Sequence, residues 1–296
     1  MSEKKLSLTE FYNNVERINR TCSTAIENTT AIFLPFRRID KSLIYKRFIE
    51  NNQVLEIVNN QDYRVEVRGR LVGQIHKDLL EVLLTCPKIF SKKTKQFKVK
   101  TTAYQITKKL KKNRGNKKLI IQRLKEIAEA KINIYFTNRK GEKIDFLFGL
   151  IDNVEGIDNE KLTITFSREY TYFLANTELV DYSKYVEDII GLDTFCRNLK
   201  KKLNLKHGIN SDFLKAVVRY MLTHKGDNSQ IRISNFLKKL NYKDLASTEQ
   251  VKDCITDLQR EEVKKYFEDN FGIELKFDNK TITFNTSKVK KHHFIG

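Results

Sequence analysis

KIFSKKTKQFKVKTTAYQITKKLKKNRGNKKLIIQRLKEIAEAKINIYFTNRKGEKIDFLFGLI, residues Lys88 to Ile151, is the stretch around which the rest of the chain is organised. Between Lys88 and Lys125 it holds fifteen Lys or Arg and no Asp or Glu. Phe97 to Lys100 alternates as a short strand does, Thr102 to Leu110 has the spacing of a short helix, and Lys111 to Gly115 is a polar turn. A longer helix is expected from Asn116 to Ala130. Two alternating runs follow, Ile132 to Thr137 and Ile144 to Ile151, joined by Asn138-Arg139-Lys140-Gly141, whose glycine suits the positive φ of a tight hairpin. Helix, turn, helix and hairpin is the order of a winged helix.

With Ile120 at the centre of the buried face of the second helix, Leu124 and Ile127 fall beside it. Lys118, Gln122, Lys125 and Glu129 then point the other way. An α-helix fits the major groove of B-DNA, where Lys reaches guanine edges and Gln pairs with adenine. Asn116 is placed to cap this helix, and Arg114, Lys117 and Lys118 to meet phosphates. The competing reading of the same stripe is a solvated helix face. Its place inside an acid-free run, between a short helix and a hairpin, favours DNA.

A chain of 296 residues has room for about two domains, and 40% apolar content with 19 Phe supports ordinary cores. A net charge of +19 points to a polyanionic partner. No apolar run approaches the length of a membrane span, and no basic amphipathic helix shows a bulky apolar face, so a membrane partner is not expected. Cys22, Cys86, Cys196 and Cys254 form no Cys-x-x-Cys pair, which argues against zinc and for small buried residues in a reducing cytosol. A cytoplasmic location is expected, since a polar N-terminus replaces a signal-peptide core.

Ahead of the central stretch, Leu6 to Asn19 has helical spacing, Ala31 to Phe36 is strand-like and Lys41 to Ile49 helical. Val54 to Val58 and Tyr63 to Arg68 form a hairpin. His76 to Cys86, with Leu79, Leu80, Leu83 and Leu84, is the first helix of the winged unit, and Leu162 to Phe166 adds a strand to the wing sheet. A mostly helical connector with Gly191 as a break leads to a second unit of the same order. That unit has helices at Phe195 to Leu205 and Phe213 to Leu222, a strand at Gln230 to Ile233, a short helix at Ser234 to Leu240, one long helix from Thr248 to about Asn270, and a hairpin across Asp278-Asn279-Lys280. The expected fold is thus α+β: an N-terminal accessory segment (1–69), a first winged helix (70–168), a helical connector (169–206) and a second winged helix (207–296).

On the second long helix Val251, Ile255 and Leu258 face inward, leaving Glu249, Lys252, Asp253, Thr256 and Arg260 outward. That stripe is mixed, and its carboxylates repel phosphates. Arg232, Lys243 and Lys280 supply flanking charge. The wings, around Arg139-Lys140 and Asn279-Lys280, are expected to touch phosphates or the minor groove.

Several of these residue patterns resemble the iteron-binding plasmid replication initiators, the TrfA-like branch above all. They are Arg68-Gly69 followed by the helix from Asp78 to Leu84, Phe97 to Leu110 with Thr-Ala-Tyr-Gln, Leu119 to Ile134, and Ile164 to Ser167 followed by Tyr172-Phe173-Leu174. The resemblance spans roughly Arg68 to Phe284. It implies two winged helices on direct repeats of an origin, with Asn116, Lys118, Gln122 and Lys125 facing the groove in the first and Thr248, Lys252 and Thr256 in the second. It further implies opening of adjacent AT-rich duplex, recruitment of host DnaA and replicative helicase, and a monomer–dimer equilibrium. It also implies a protein that is not an enzyme and takes no cofactor.

The residues favour other classes less. No His-x-His pair stands ready for a metal-dependent nicking tyrosine, no phosphate-binding Gly-x-x-x-x-Gly-Lys-Ser/Thr occurs, and Asp253 and Asp257 read as surface residues. A repressor would use a winged helix as a dimer on a palindrome, whereas two unlike tandem units favour a directional site. Phe146 and Phe148 sit in alternating strands and read as core, not as base-stacking platforms.

Overall fold

The computed structural model describes residues 18–19, 22–36, 38–59, 63–111, 117–137, 143–156, 161–224, 228–240, 242 and 246–289. Residues 6–17 of the expected first helix, the residues Arg114, Asn116, Arg139, Lys140 and Lys243, and the Asn138–Gly141 turn lie outside these residues.

The N-terminal segment consists of β1 (Ser23–Thr24), α1 (Ala25–Thr29), β2 (Phe33–Leu34), α2 (Leu43–Glu50) and the antiparallel pair β3 (Val54–Asn59) and β4 (Tyr63–Arg68). β5 (Val72–Gly73) then leads into α3 (Gln74–Leu84), which Pro87 prevents from continuing. Next come β6 (Lys88–Ser91), β7 (Gln96–Thr102), α4 (Ala103–Lys109) and α5 (Lys117–Glu129). Thr102 starts α4 through a reciprocal cap: its hydroxyl accepts from the Gln105 N–H at 3.0 Å, and Gln105 Oε1 accepts from the Thr102 N–H at 3.1 Å. Four strands follow, β8 (Lys131–Thr137), β9 (Lys143–Gly149), β10 (Ile151–Glu155) and β11 (Lys161–Phe166).

β11 pairs with both β7 and β10, with Ile164 opposite Val99, giving the sheet order β10-β11-β7-β6. First strand against third, third against second, is winged-helix pairing, so the wing of this unit is β10–β11. The sequence expectation that 132–151 forms the wing is therefore corrected. β8 instead pairs with β4, with Val65 opposite Ile134 and Val67 opposite Ile132, in a second sheet of order β3-β4-β8-β9. The reason is the period-two stripe Leu55, Ile57, Val65, Val67, Ile132, Ile134 and Phe148, all buried, which four strands cover together. The outer face is polar, with Arg64 on Glu56 at 3.0 Å and Arg68 on Glu66 at 2.7 Å. Phe148 is core as expected, stacked on Phe173 at 4.7 Å, and Phe146 is half-buried beside it.

The connector is α6 (Arg168–Asn176), β12 (Leu179–Val180), which pairs with β1, and α7 (Val186–Lys202). α7 begins nine residues before the expected Phe195. Gly191 does not break it but lies inside it, where an added Cβ would meet the Tyr266 hydroxyl at 3.1 Å. The glycine admits that ring, and the Tyr266 hydroxyl donates to the Asp188 carbonyl at 3.1 Å.

The last unit is α8 (Ser211–Thr223), β13 (Ser229–Arg232), α9 (Ile233–Lys239), α10 (Thr248–Gln259), α11 (Glu261–Phe271), β14 (Glu274–Phe277) and β15 (Thr281–Asn285), with sheet order β13-β15-β14. Its pairing repeats that of the first unit. Where the first unit inserts β8–β9 between its long helix and its wing, the second inserts α11. The single helix expected from Thr248 to Asn270 is thus two helices parted at Arg260, whose backbone is extended. The buried stripe explains the break. It runs through Cys254 and Leu258, then resumes at Val263, Phe267 and Phe271, a step of five where a continuous helix needs three or four. Asp257, expected at the surface, is buried at this joint, and its carboxylate accepts from Arg260 Nε at 2.9 Å.

α3 and α8, the opening helices of the two units, meet through charge instead of grease. Arg219 reaches Glu81 at 2.6 Å and Asp78 at 2.7 Å, and Lys215 reaches Asp78 at 2.6 Å and Asp193 at 2.9 Å. Gln74 accepts from Arg219 at 2.5 Å, and the Tyr182 hydroxyl donates to Glu81 at 2.5 Å. A second cluster joins Lys77 to Glu27 at 2.8 Å, with the Tyr170 hydroxyl also on Glu27 at 2.8 Å. Lys77, Lys215 and Arg219 balance Glu27, Asp78 and Glu81, and each of these side chains is almost wholly removed from solvent. Burial alone would lower the Lys215 and Arg219 pKa values. The facing carboxylates overcome it and hold both groups above their ordinary range, so they stay charged.

Candidate nucleic-acid interface

α5 turns Ile120, Ile121, Leu124 and Ile127 into the core and leaves Lys117, Lys118, Gln122, Lys125 and Glu129 exposed. The stripe expected to face outward does so, with the apolar spacing as the cause. Gln122 is not free, because its Nε2 donates to Glu126 Oε1 at 3.1 Å. That bond takes one of the two Nε2 hydrogens and leaves the other, with Oε1, to meet a base. The cations Lys98 on β7 and Lys108 on α4 add to the charge of this unit, with Lys100 and Lys108 exposed and Lys98 half-exposed. None of the three was singled out from sequence, although all lie in the acid-free run.

The wing differs from expectation in charge as well as place. β10 carries Asp152 and Glu155, and the segment joining it to β11 reads Gly156-Ile-Asp-Asn-Glu160. Such a hairpin repels phosphate. Any DNA contact by this unit falls to α5 and its neighbours.

On α10, Thr248, Lys252 and Thr256 are exposed, together with Glu249, Gln250 and Asp253. Ser247 caps this helix reciprocally with Gln250, which fixes its first turn. Arg232 is exposed at the end of β13, and Lys280 at the tip of β14–β15. The Asp278 carboxylate at that tip is spent on the turn, accepting from the Lys280 and Thr281 N–H groups at 2.9 and 2.8 Å, which leaves Lys276 and Lys280 as its outward charge.

The four cysteines are all buried thiols. Burial pushes the Cys196 thiol up to about 12 and that of Cys254 to about 11, so neither is a nucleophile at neutral pH. Among the described residues no group of three or more His, Cys, Asp or Glu is placed to hold a metal ion, and no helix is long and apolar enough to cross a membrane.

His76 ties α3 to α5. Its Nδ1 accepts from the Gly73 N–H at 3.0 Å, so Nε2 carries the proton and donates to Glu126 at 2.7 Å. Burial holds its pKa below 6.5, against the pull of the Glu126 hydrogen bond, and burial also lowers His224. The His76 hydrogen bond in turn brings the Glu126 carboxyl down to about 2. A histidine depressed in the folded state keeps its contribution to stability above the unfolded value, about 6.5, and loses it as pH falls from there toward the native value. Denaturant midpoints should therefore drop between pH 7 and pH 5. His76→Gln should flatten part of that drop, with His224 accounting for more. An unchanged slope in the variant would remove His76 from the account.

No family model matches the chain, and no curated protein does. Among solved structures, the chain is similar to a selenomethionine crystal form of domains 2 and 3 of RctB, with a TM-score of 0.52 at 10% identity, over 89% of this chain and 98% of that one. A further structure of RctB domains 2–3 gives a TM-score of 0.47 at 11% identity, over 88% and 95%. At such identity the first of these likenesses establishes the mixed α+β, two-unit fold and nothing more.

Proposed function

We propose that the chain is a replication initiator that binds double-stranded DNA sequence-specifically at the direct repeats of a plasmid origin. It helps to open the adjacent duplex and passes the site to host proteins such as DnaA and the replicative helicase. The observation that carries this reading is the pair of unlike winged units, each exposing a polar stripe on its long helix, joined by a buried charge network. One chain of this build offers two different readers in a fixed order, which suits a directional repeat. The +19 charge supplies affinity for any duplex, and α5 and α10 supply the choice among them. This reading gives the chain no chemical step and no cofactor, and allows a monomer–dimer equilibrium.

Selection of bound sequences from random duplex, followed by salt titration and stoichiometry on the winner, tests the proposal. A directional site of about two helical turns bound by one chain is expected. A palindrome bound by two chains would make a repressor the better account, and no preferred site would leave a nonspecific polyanion binder. On the selected site, Gln122→Ala should reduce discrimination at one base pair by about 1–3 kcal/mol. Identical preference in variant and wild type would exclude Gln122 from base reading.

A further inference from the structure

A cleft of about 620 Å³ opens between the two units, bounded by α5 and the start of α3 on one side and by α7 and the start of α8 on the other. Arg123 lines it from α5, roughly a third of a turn round the helix from the Lys118–Gln122–Lys125 stripe. Arg197 and Lys200 line it from α7, both exposed. None of these three cations has a hydrogen-bond or ion-pair partner among the described residues.

The carboxylates of the cleft are in a different position. Glu126 is engaged by His76, Arg70 and Gln122, and Asp193 by Lys215 and Ser211. Asp212 lends its charge to both Lys215 and Arg123, and Asp40 stands exposed on the rim. Arg123 is half-buried, and burial holds its pKa below the ordinary value despite the charges of Glu126, Asp212 and Asp78. Its guanidinium makes no hydrogen bond to another described residue, so its N–H donors are open to an anion entering the cleft.

We propose that this cleft binds a phosphate group, with the Arg123 guanidinium as its fork on α5 and Arg197 and Lys200 closing on it from α7. A guanidinium presents paired donors at the spacing of phosphate oxygens, and two further cations across the gap match a second negative charge. Two sources supply such a group: a small phosphate compound free in solution, or the backbone of a duplex running from one long helix to the other. Only the second source rests on the DNA-binding reading.

Titrating the full chain with inorganic pyrophosphate at fixed ionic strength, followed by calorimetry, separates them. For a free ligand we expect one saturable site per chain, weakened about tenfold by Arg123→Gln and by Arg197→Gln/Lys200→Gln. Lys93→Gln/Lys265→Gln, which removes charge outside the cleft, should bind as wild type does. Arg123→Lys keeps the charge without the fork and should fall between, a check on whether the glutamine variant merely unfolds. For the backbone source, pyrophosphate shows no such site, and Arg123→Gln lowers the salt slope of duplex binding by about 0.9. If Arg123→Gln changes neither quantity, the proposal is overturned. If sequence selection finds no preferred duplex, the initiator reading fails while the pyrophosphate result still stands.

Discussion

Arg219→Ala is expected to destabilise the protein by about 3–5 kcal/mol, the cost of removing one partner from a buried ion pair. The substitution strands Glu81 and Asp78, whose carboxylates have Arg219 at 2.6 and 2.7 Å, in a place that water does not reach. Lys215 still neutralises Asp78, but among the described residues Glu81 keeps only the Tyr182 hydroxyl and becomes the main liability. The comparison that gives the result its meaning is Arg219→Met/Lys215→Met/Asp78→Leu/Glu81→Leu. Replacing a whole buried network by apolar groups of similar size is often neutral, so this variant should recover most of the loss. Urea denaturation reads both. A loss below about 1 kcal/mol for Arg219→Ala, the range of exposed pairs, would mean that the joint is hydrated and does not lock the two units.

Lys118→Ala/Lys125→Ala is expected to weaken binding to every duplex alike and to lower the salt slope by about 1.8, the share of two phosphate contacts. Both lysines are exposed on α5, on the side away from Ile120, Leu124 and Ile127, so the change should leave thermal unfolding where it is. Lys252→Ala on α10 should cost less, because Glu249 and Asp253 on the same exposed face already oppose the approach of phosphate. Equal slopes for the α5 variant and wild type, with a large effect of Lys252→Ala, would move the main DNA contact to the second unit.

Local elements were legible in the residues to the extent that short-range periodicity governs them. The α5 stripe is an example: Ile120, Leu124 and Ile127 could only be covered by turning Lys118, Gln122 and Lys125 outward. The parting of α10 from α11 was equally legible, in the slip from Leu258 to Val263, but a count of helical residues alone overlooks it. The second wing was placed correctly because β14 and β15 are joined by a tight Asp278-Asn279-Lys280 turn, and neighbours in sequence pair without competition. The candidate site was legible only in its exposed stripes. Lys98, Lys100 and Lys108 blended into a uniformly basic run, and Arg123 on the same helix gave no sign that it lines a cleft.

By itself, then, the sequence determined the basic charge, the outward face of α5 and most of the strands and helices, though not the start of α7, since each depends on residues within a few turns of one another. Tertiary structure alone decided which hairpin is the first wing: β8 pairs with β4, far from it in sequence, where its buried Ile132 and Ile134 continue the apolar stripe of β3 and β4. It also decided that Lys77, Asp78, Glu81, Lys215 and Arg219 are buried. A charged helix face reads as solvated until another charged face is brought against it, and that meeting joins residues 138 positions apart.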